Sequence, residues 1–453
     1  MYSLITLALS AIIICIFTYA SNKKLINNLE AILKVMSVSL CIMGICRFFL
    51  SDSFVKNISD VKDPLQSFLR WGYHIGYAMI PMSVFFNSRL IRNITTCFSL
   101  PVTILAVIFF DDTMAYFTSA GAGGFYVDEW IRYATYILEL TIALSTIILM
   151  EIHNKHVIDI KNVKEVLSTV GMVPLIMIQM MPSYIIRPFL SDFKLTVGMF
   201  RELHLLWIFS LIIEIILLYY IFRNRSEKDK YMLLVFLVLA QIMHTNSQML
   251  IGFTFSRMPL QLCNIAAFLY LYMIITKDKG IFDFCYLANL VGAAIAMILT
   301  DFDGETLCFW NIHYIYEHSF VVMVPILGVS LGIFPRLDKS ALKNMTKYFS
   351  FYFVFILILG TILNSLNSKF GTVNHFYMFN PNVAVQYLPF AGFVNAVHWE
   401  FNGFEVYPIL VITIFVLFIT LNVLFYFITR GLYKLIDYFK ERTQKQEPEL
   451  SIE

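Results

Sequence analysis

Among the nine histidines and seven cysteines of this 453-residue chain, two stand where covalent chemistry is possible. Cys263 closes the stretch Met258-Pro259-Leu260-Gln261-Leu262-Cys263, at the start of an apolar run. His318 follows Glu317 near the start of another. At 1.5 Å of rise per residue, Cys263 lies ~6 Å down its helix from Pro259, and His318 lies ~5 Å down its own. Both runs enter from the same side, so the two groups can meet at one depth. A thiolate is a nucleophile, and an adjacent imidazole takes its proton or stabilises its charge. His204, His244, Gln261, Asn264 and Glu317 fall near the same ends of neighbouring runs. They are the candidate substrate-binding or oxyanion groups.

Plainer roles fit the same residues. A lone Cys in an apolar helix is commonly a small buried hydrophobe. A His at a helix end is commonly an interfacial residue with its hydrogen bonds satisfied. Cys308 can pair with Cys263 as a disulfide, and several His at one level can hold zinc. No HExxH or CxxC spacing supports a metal, so neither metal nor other cofactor is expected.

The elements that must position these groups follow from composition. The chain is 59% hydrophobic, 16% aromatic and only 14% charged, with a mean hydropathy of +0.73. Soluble domains carry roughly 25% charged residues. No water-soluble fold hides this much apolar surface. A formal charge of +2 gives no case for nucleic acid. The apolar runs are about 20 residues long, which suits membrane helices rather than the alternating strands of a barrel. The expectation is an all-α, multi-pass protein of the cell membrane.

About thirteen spans are expected, near 2–20, 31–50, 68–86, 94–110, 129–150, 166–187, 202–222, 231–250, 259–276, 281–300, 315–334, 347–365 and 405–429. Lys and Arg are about threefold richer in one set of alternate loops, which places the N-terminus outside and the C-terminus inside. The loop 111–128 and the segment 366–404 are the richest outer connections, the latter an expected lid. The basic tail 430–446 reads as an interfacial amphipathic helix or a frayed terminus. Glu139 and Glu214 are charges within spans.

Spans one to six can be laid on spans seven to twelve in the same orientation, with the last left over. Ile131-Arg132-Tyr133 and Ile312-His313-Tyr314 open corresponding stretches. Such parallel repeats occur in transporters. The chain then divides into a six-helix domain at 1–197, a degenerate copy without the Cys–His pair, a second membrane domain at 198–430, and a cytoplasmic tail at 431–453.

Residues from about 198 to 430 resemble the YwaF-like family of integral membrane proteins, which is related to animal transmembrane acyltransferases acting on ether phospholipids. The resemblance rests on ordered features. Glu202-Leu203-His204 is similar to the family's first-span histidine, and Met258 to Cys263 to its LPLHLC signature. Ile281-Phe282-Asp283-Phe284, Gly292-Ala293-Ala294 and Leu299-Thr300-Asp301 are similar to the next span and loop. Glu317-His318 resembles a His-Gly pair, and Asn374 to Phe379 an NYMF element. Gln261 replaces the signature's histidine, and Ser319 the glycine after the second. The resemblance implies an acyl group carried by Cys263 with help from His318. The expected partner is a membrane phospholipid, with acyl transfer at the outer leaflet through a thioester. Competing classes are a secondary transporter of a small solute and a non-catalytic membrane scaffold or sensor.

Overall fold

The computed structural model describes residues 64–86, 88–99, 159–181, 197–247, 254–300, 308–366, 371–380 and 396–446, with a few isolated positions besides. In chain order these form α1 (Pro64–Phe86), α2 (Arg89–Ile94), the five-residue π-helix π1 (Thr95–Ser99), α3 (Val163–Gln179), α4 (Glu202–Phe222) and α5 (Glu227–Ser247). There follow α6 (Leu262–Thr276), α7 (Lys279–Phe284), π2 (Cys285–Asn289), α8 (Leu290–Ile298), α9 (Phe309–Ser330) and α10 (Ala341–Ser365). The strands β1 (Trp399–Phe401) and β2 (Phe404–Val406) precede the last helix, α11 (Pro408–Gln446).

The chain is a mostly helical membrane protein. Among the described residues, five helices are long and apolar enough to cross a membrane. They are α4, the continuous run α7–π2–α8, α9 from Trp310, α10, and α11 as far as Phe439. Helix α6 is apolar but shorter. On α4 the side chains of Leu206, Phe209, Ile213, Leu217 and Ile221 are all exposed, as a lipid-facing helix requires. The expected spans at 2–20, 31–50 and 129–150, most of that at 94–110, the loop 111–128 and Glu139 lie outside the described residues.

Two expectations change. The all-α reading missed a hairpin, in which Trp399 pairs with Val406 and Phe401 with Phe404 around Asn402-Gly403. Both turn residues have positive φ, 48° and 83°, the requirement of a tight two-residue turn. Asn402 Nδ2 then donates to the Ser365 carbonyl at the end of α10, 2.9 Å away. The basic tail is helical rather than frayed, and it is continuous with α11, which runs without a break to Gln446. Arg336 holds it with two bonds to the Asp437 carboxylate, of 2.8 and 2.9 Å.

The residues sort into two compact units. One comprises residues 1–259 and 300–320, the other 260–299 and 321–453, so α9 passes from the first into the second. In the first unit, Asn162 caps α3, and α2 packs across the start of that helix. Arg89 Nε and Asn93 Nδ2 both donate to Glu165 Oε1, each over 2.7 Å. Trp71 Nε1 donates to the Met177 carbonyl, fixing α1 to the other end of α3.

In the second unit, Asp278 caps α7, and α7 lies along α10. The Asp283 carboxylate is 1% exposed and accepts from Lys279 Nζ at 2.6 Å and Asn344 Nδ2 at 2.8 Å. The same ammonium reaches Asp338 and the Ser340 hydroxyl. Hydrogen bonds from the Ser340 hydroxyl and N–H, with help from Lys279, hold the Asp338 carboxyl at about 2. It therefore stays ionised throughout the physiological range.

This clamp yields the first prediction. Lys279→Ala leaves a buried carboxylate with one amide partner, and is expected to lower stability by about 2 kcal/mol. Adding Asp283→Asn removes the stranded charge and is expected to restore at least half of that loss. Thermal unfolding of purified protein in detergent compares the two variants.

Candidate functional site

The candidate residues divide between the two units. His204, His244, Glu317 and His318 belong to the first, and Gln261, Cys263 and Asn264 to the second.

In the first unit His204 sits in the opening turn of α4, fully buried. The Phe200 N–H donates to its Nδ1 at 2.8 Å, which leaves the ring proton on Nε2. Trp207, three residues on and hence on the same helix face, stands next to it. Trp207 also meets His318 on α9, with ring centroids 6.5 Å apart, and donates from Nε1 to the Ser319 hydroxyl at 2.8 Å. Tyr314 lies against the His318 ring at 4.1 Å, and Phe302 closes the group against His204, Trp207 and Tyr314. His204 and His318 therefore line one aromatic cluster.

The state of His318 follows from its partner. Its Nδ1 lies 2.8 Å from the Tyr314 carbonyl oxygen. A carbonyl only accepts, so Nδ1 carries the proton and Nε2 holds the lone pair. That is the tautomer a general base needs.

His244 and Glu317 do not join this cluster. His244 stacks on Tyr316 at 4.2 Å, and its Nε2 is 3.3 Å from the Gln179 carbonyl. Tyr316 and His318 are two residues apart on α9, which puts them on nearly opposite faces. The Glu317 carboxylate is already engaged, by Thr245 Oγ1 on one oxygen and His313 Nε2 on the other, both at 3.1 Å. Glu214 accepts a short hydrogen bond from the Gln179 amide.

In the second unit Cys263 is the second residue of α6, half-buried, with Asn264 buried beside it. Backbone N–H groups of a first helical turn point toward the N-terminus and favour negative charge there. Tyr352 donates to the Leu260 carbonyl at 2.8 Å and so fixes the signature stretch to α10. Cys263 and Cys308 are both thiols, and no disulfide joins them. Among the described residues no group of three or more His, Cys, Asp and Glu is placed to hold a metal ion.

Gln261 has a partner on a distant segment. It caps no N–H of α6; its Oε1 instead accepts the Phe376 N–H at 3.0 Å. The segment Val373–Asn380 is thereby strapped to the signature stretch. Asn364 holds Val373 through two hydrogen bonds, and Asn374 Oδ1 accepts from the N–H groups of Phe379 and Asn380. Phe376 and Tyr377 both have φ near +57°, a left-handed conformation costly for aromatic residues. The Phe376 ring is locked among Phe349, Phe353 and Phe418. Phe379 packs so closely on α10 that a Cβ at Gly360 would lie 2.3 Å from its ring. The strap also carries His375, buried within the unit that holds Cys263. Asn374 to Phe379 was legible as a motif, but its strained backbone and its tether to Gln261 were not. Trp207 was legible only in its spacing from His204.

A family model matches residues 198–429. The chain belongs to the TMEM164 family. The match spans just over half of the chain and takes in every candidate residue above. No curated protein and no solved structure matches. As a TMEM164-family member the chain is a membrane protein, in keeping with its apolar helices.

Deleting the tether tests the strap. Gln261→Ala leaves the Phe376 N–H without its acceptor, worth about 1 kcal/mol. Amide hydrogen exchange over residues 371–380 is expected to rise severalfold, while α4 and α5 keep their protection. Gly360→Ala is expected to have the same signature and a larger effect.

Proposed function

We infer that this TMEM164-family protein transfers acyl chains between lipids at the outer leaflet, with Cys263 as nucleophile and His318 as base. The observation that carries the reading is the His318 tautomer. The Tyr314 carbonyl holds the Nδ1 proton, so Nε2 is the nitrogen able to take one. The position of Cys263 at the N-terminus of α6 supports it, because that end of a helix stabilises a thiolate. The resemblance of the signature stretch to YwaF-like proteins and their acyltransferase relatives adds the substrate class.

The chemistry runs in two balanced halves. The Cys263 proton passes to His318 Nε2, and the sulfur attacks the carbonyl carbon of a phospholipid ester. The ester C–O bond breaks, the imidazolium protonates the leaving lyso-lipid oxygen, and a thioester remains on Cys263. An acceptor hydroxyl then gives its proton to His318 and attacks the thioester carbonyl. The thiolate leaves and recovers the proton. N–H groups in the first turn of α6, with Asn264, would stabilise the oxyanion. His204 would shape the aromatic wall beside His318. In this reading the chain crosses the cell membrane about thirteen times, with the N-terminus outside.

The strap favours a second assignment of the base within the same function. His375 is buried in the unit that contains Cys263, on the segment tethered to Gln261. Comparing the two histidine variants separates the assignments.

The test is a mixed-chain phospholipid presented to purified protein in nanodiscs. A hydroxylamine-sensitive acyl adduct is expected on Cys263 and lost in Cys263→Ala. Its formation rate is expected to fall by about 10²–10⁴ in His318→Ala. A fall of that size in His375→Ala instead moves the base to the strap. Solute uptake abolished by Glu214→Gln without any adduct would replace the enzyme with a transporter, and neither effect would leave a scaffold.

A further inference from the structure

Helix α10 packs into the second unit by two of its faces. Phe349 and Phe353 meet Phe415 and Phe418 of α11. Asn344 and Tyr352 meet Asp283 and Phe284 of α7. A third face stays exposed along the helix, and its composition changes sharply with depth. It carries Lys343 and Lys347, then Phe351, Val354, Phe355, Ile358 and Ile362. Steps of three and four residues keep these side chains on one side of the helix.

Other basic groups at this end of the unit are already engaged. Arg336 holds Asp437, Lys279 holds Asp283 and Asp338, and Arg430 donates to the Tyr426 hydroxyl at 2.8 Å. Lys343 and Lys347 are exposed, and among the described residues neither pairs with a carboxylate. The Lys347 ammonium lies over the ring of its neighbour Tyr348, 5.0 Å from the centroid. After Asp338 the next acid along the chain is Glu400, so α10 supplies no counter-charge of its own. Residues four apart on a helix have Cβ atoms about 5–6 Å apart, close enough for one phosphate to meet both ammoniums.

The apolar part of the stripe has the length of an acyl chain. From Phe351 to Ile362 it extends ~16 Å at 1.5 Å of rise per residue. A bilayer's hydrocarbon core is ~30 Å thick, so this is close to the depth of one leaflet. A second helix fits the face poorly. Helices in membranes approach one another through Gly, Ala and Ser, and the stripe has none of them. The glycine of α10, Gly360, is turned instead to the Phe379 ring. Bulky aromatic and branched side chains below two unpaired ammoniums suit a flexible chain that carries an anion at its end.

We propose that this face of α10 binds an anionic phospholipid, with its phosphate between Lys343 and Lys347 and an acyl chain along Phe351 to Ile362. The lipid lies in the leaflet on the side where α10 begins. A headgroup with net negative charge brings the counter-charge that the helix lacks. A zwitterionic headgroup carries its own ammonium and gains less from the pair. Each lysine at a membrane surface favours the anionic lipid roughly fivefold, and the pair roughly thirtyfold. The site is independent of the acyl-transfer reading and does not require Cys263 to react.

Native mass spectrometry of the purified full-length protein tests the site, since it reads bound lipid and oligomeric state together. The probes are dioleoylphosphatidylglycerol and dioleoylphosphatidylcholine, which share their chains and differ in charge. The tightest phosphatidylglycerol is expected to bind roughly thirtyfold more strongly than phosphatidylcholine. The double variant Lys343→Gln with Lys347→Gln is expected to lose most of that preference. Lys434→Gln, which removes an exposed charge from α11, is expected to keep it. Phe351→Ala is expected to weaken both lipids and leave their ratio unchanged. Equal binding of the two lipids, a preference that survives the double variant, or one lost as fully in Lys434→Gln overturns the site. A two-chain mass that Phe351→Ala returns to one chain also overturns it, and gives the face to a second copy of the protein.

Discussion

The structure depends on a single constraint, that polar groups inside an apolar body must find one another. Asp283 shows it most plainly. Its carboxylate is withdrawn from water, and is tolerable only because an ammonium one turn away and an amide on another helix both reach it. Those bonds fix the angle between α7 and α10, and through π2 the rest of the second unit's packing. Glu165 does the same for α2 and α3. In each case a cluster of three side chains decides where helices sit whose apolar surfaces alone would pack in many ways.

The same rule sorts the histidines. His313 and Glu317 satisfy each other and Thr245, and His244 is stacked and bonded toward Gln179. At His318, which lines the aromatic cluster with His204, Nδ1 is committed to the Tyr314 carbonyl and Nε2 keeps its lone pair. The aromatic wall around it fixes the ring without consuming that lone pair.

Strain is concentrated in the strap. Two adjacent aromatic residues hold left-handed backbone, kept there by the Asn364 and Asn374 side chains, by Gln261 and by a cage of phenylalanines. So much restraint on so short a segment holds it against α10 and the residue before α6.

The sequence by itself determined the membrane class and most helix bounds within the described residues. Period, length and charge distribution are local properties and survive without a fold. Helix α4 begins and ends where its apolar run does, between Glu202 and Phe222. Sequence reading went astray where a distant partner decided the outcome. The hairpin at Asn402-Gly403 was overlooked beneath strong helical signals. The tail at 431–446 joined α11 because nothing in its composition marks a break and Asp437 has Arg336 to hold it. Only tertiary structure decided that Gln261 serves the strap, that Glu317 is spent on its neighbours, and which nitrogen of His318 is open. Each of these depends on which group lies within about 3 Å, a distance that spacing along the chain does not encode.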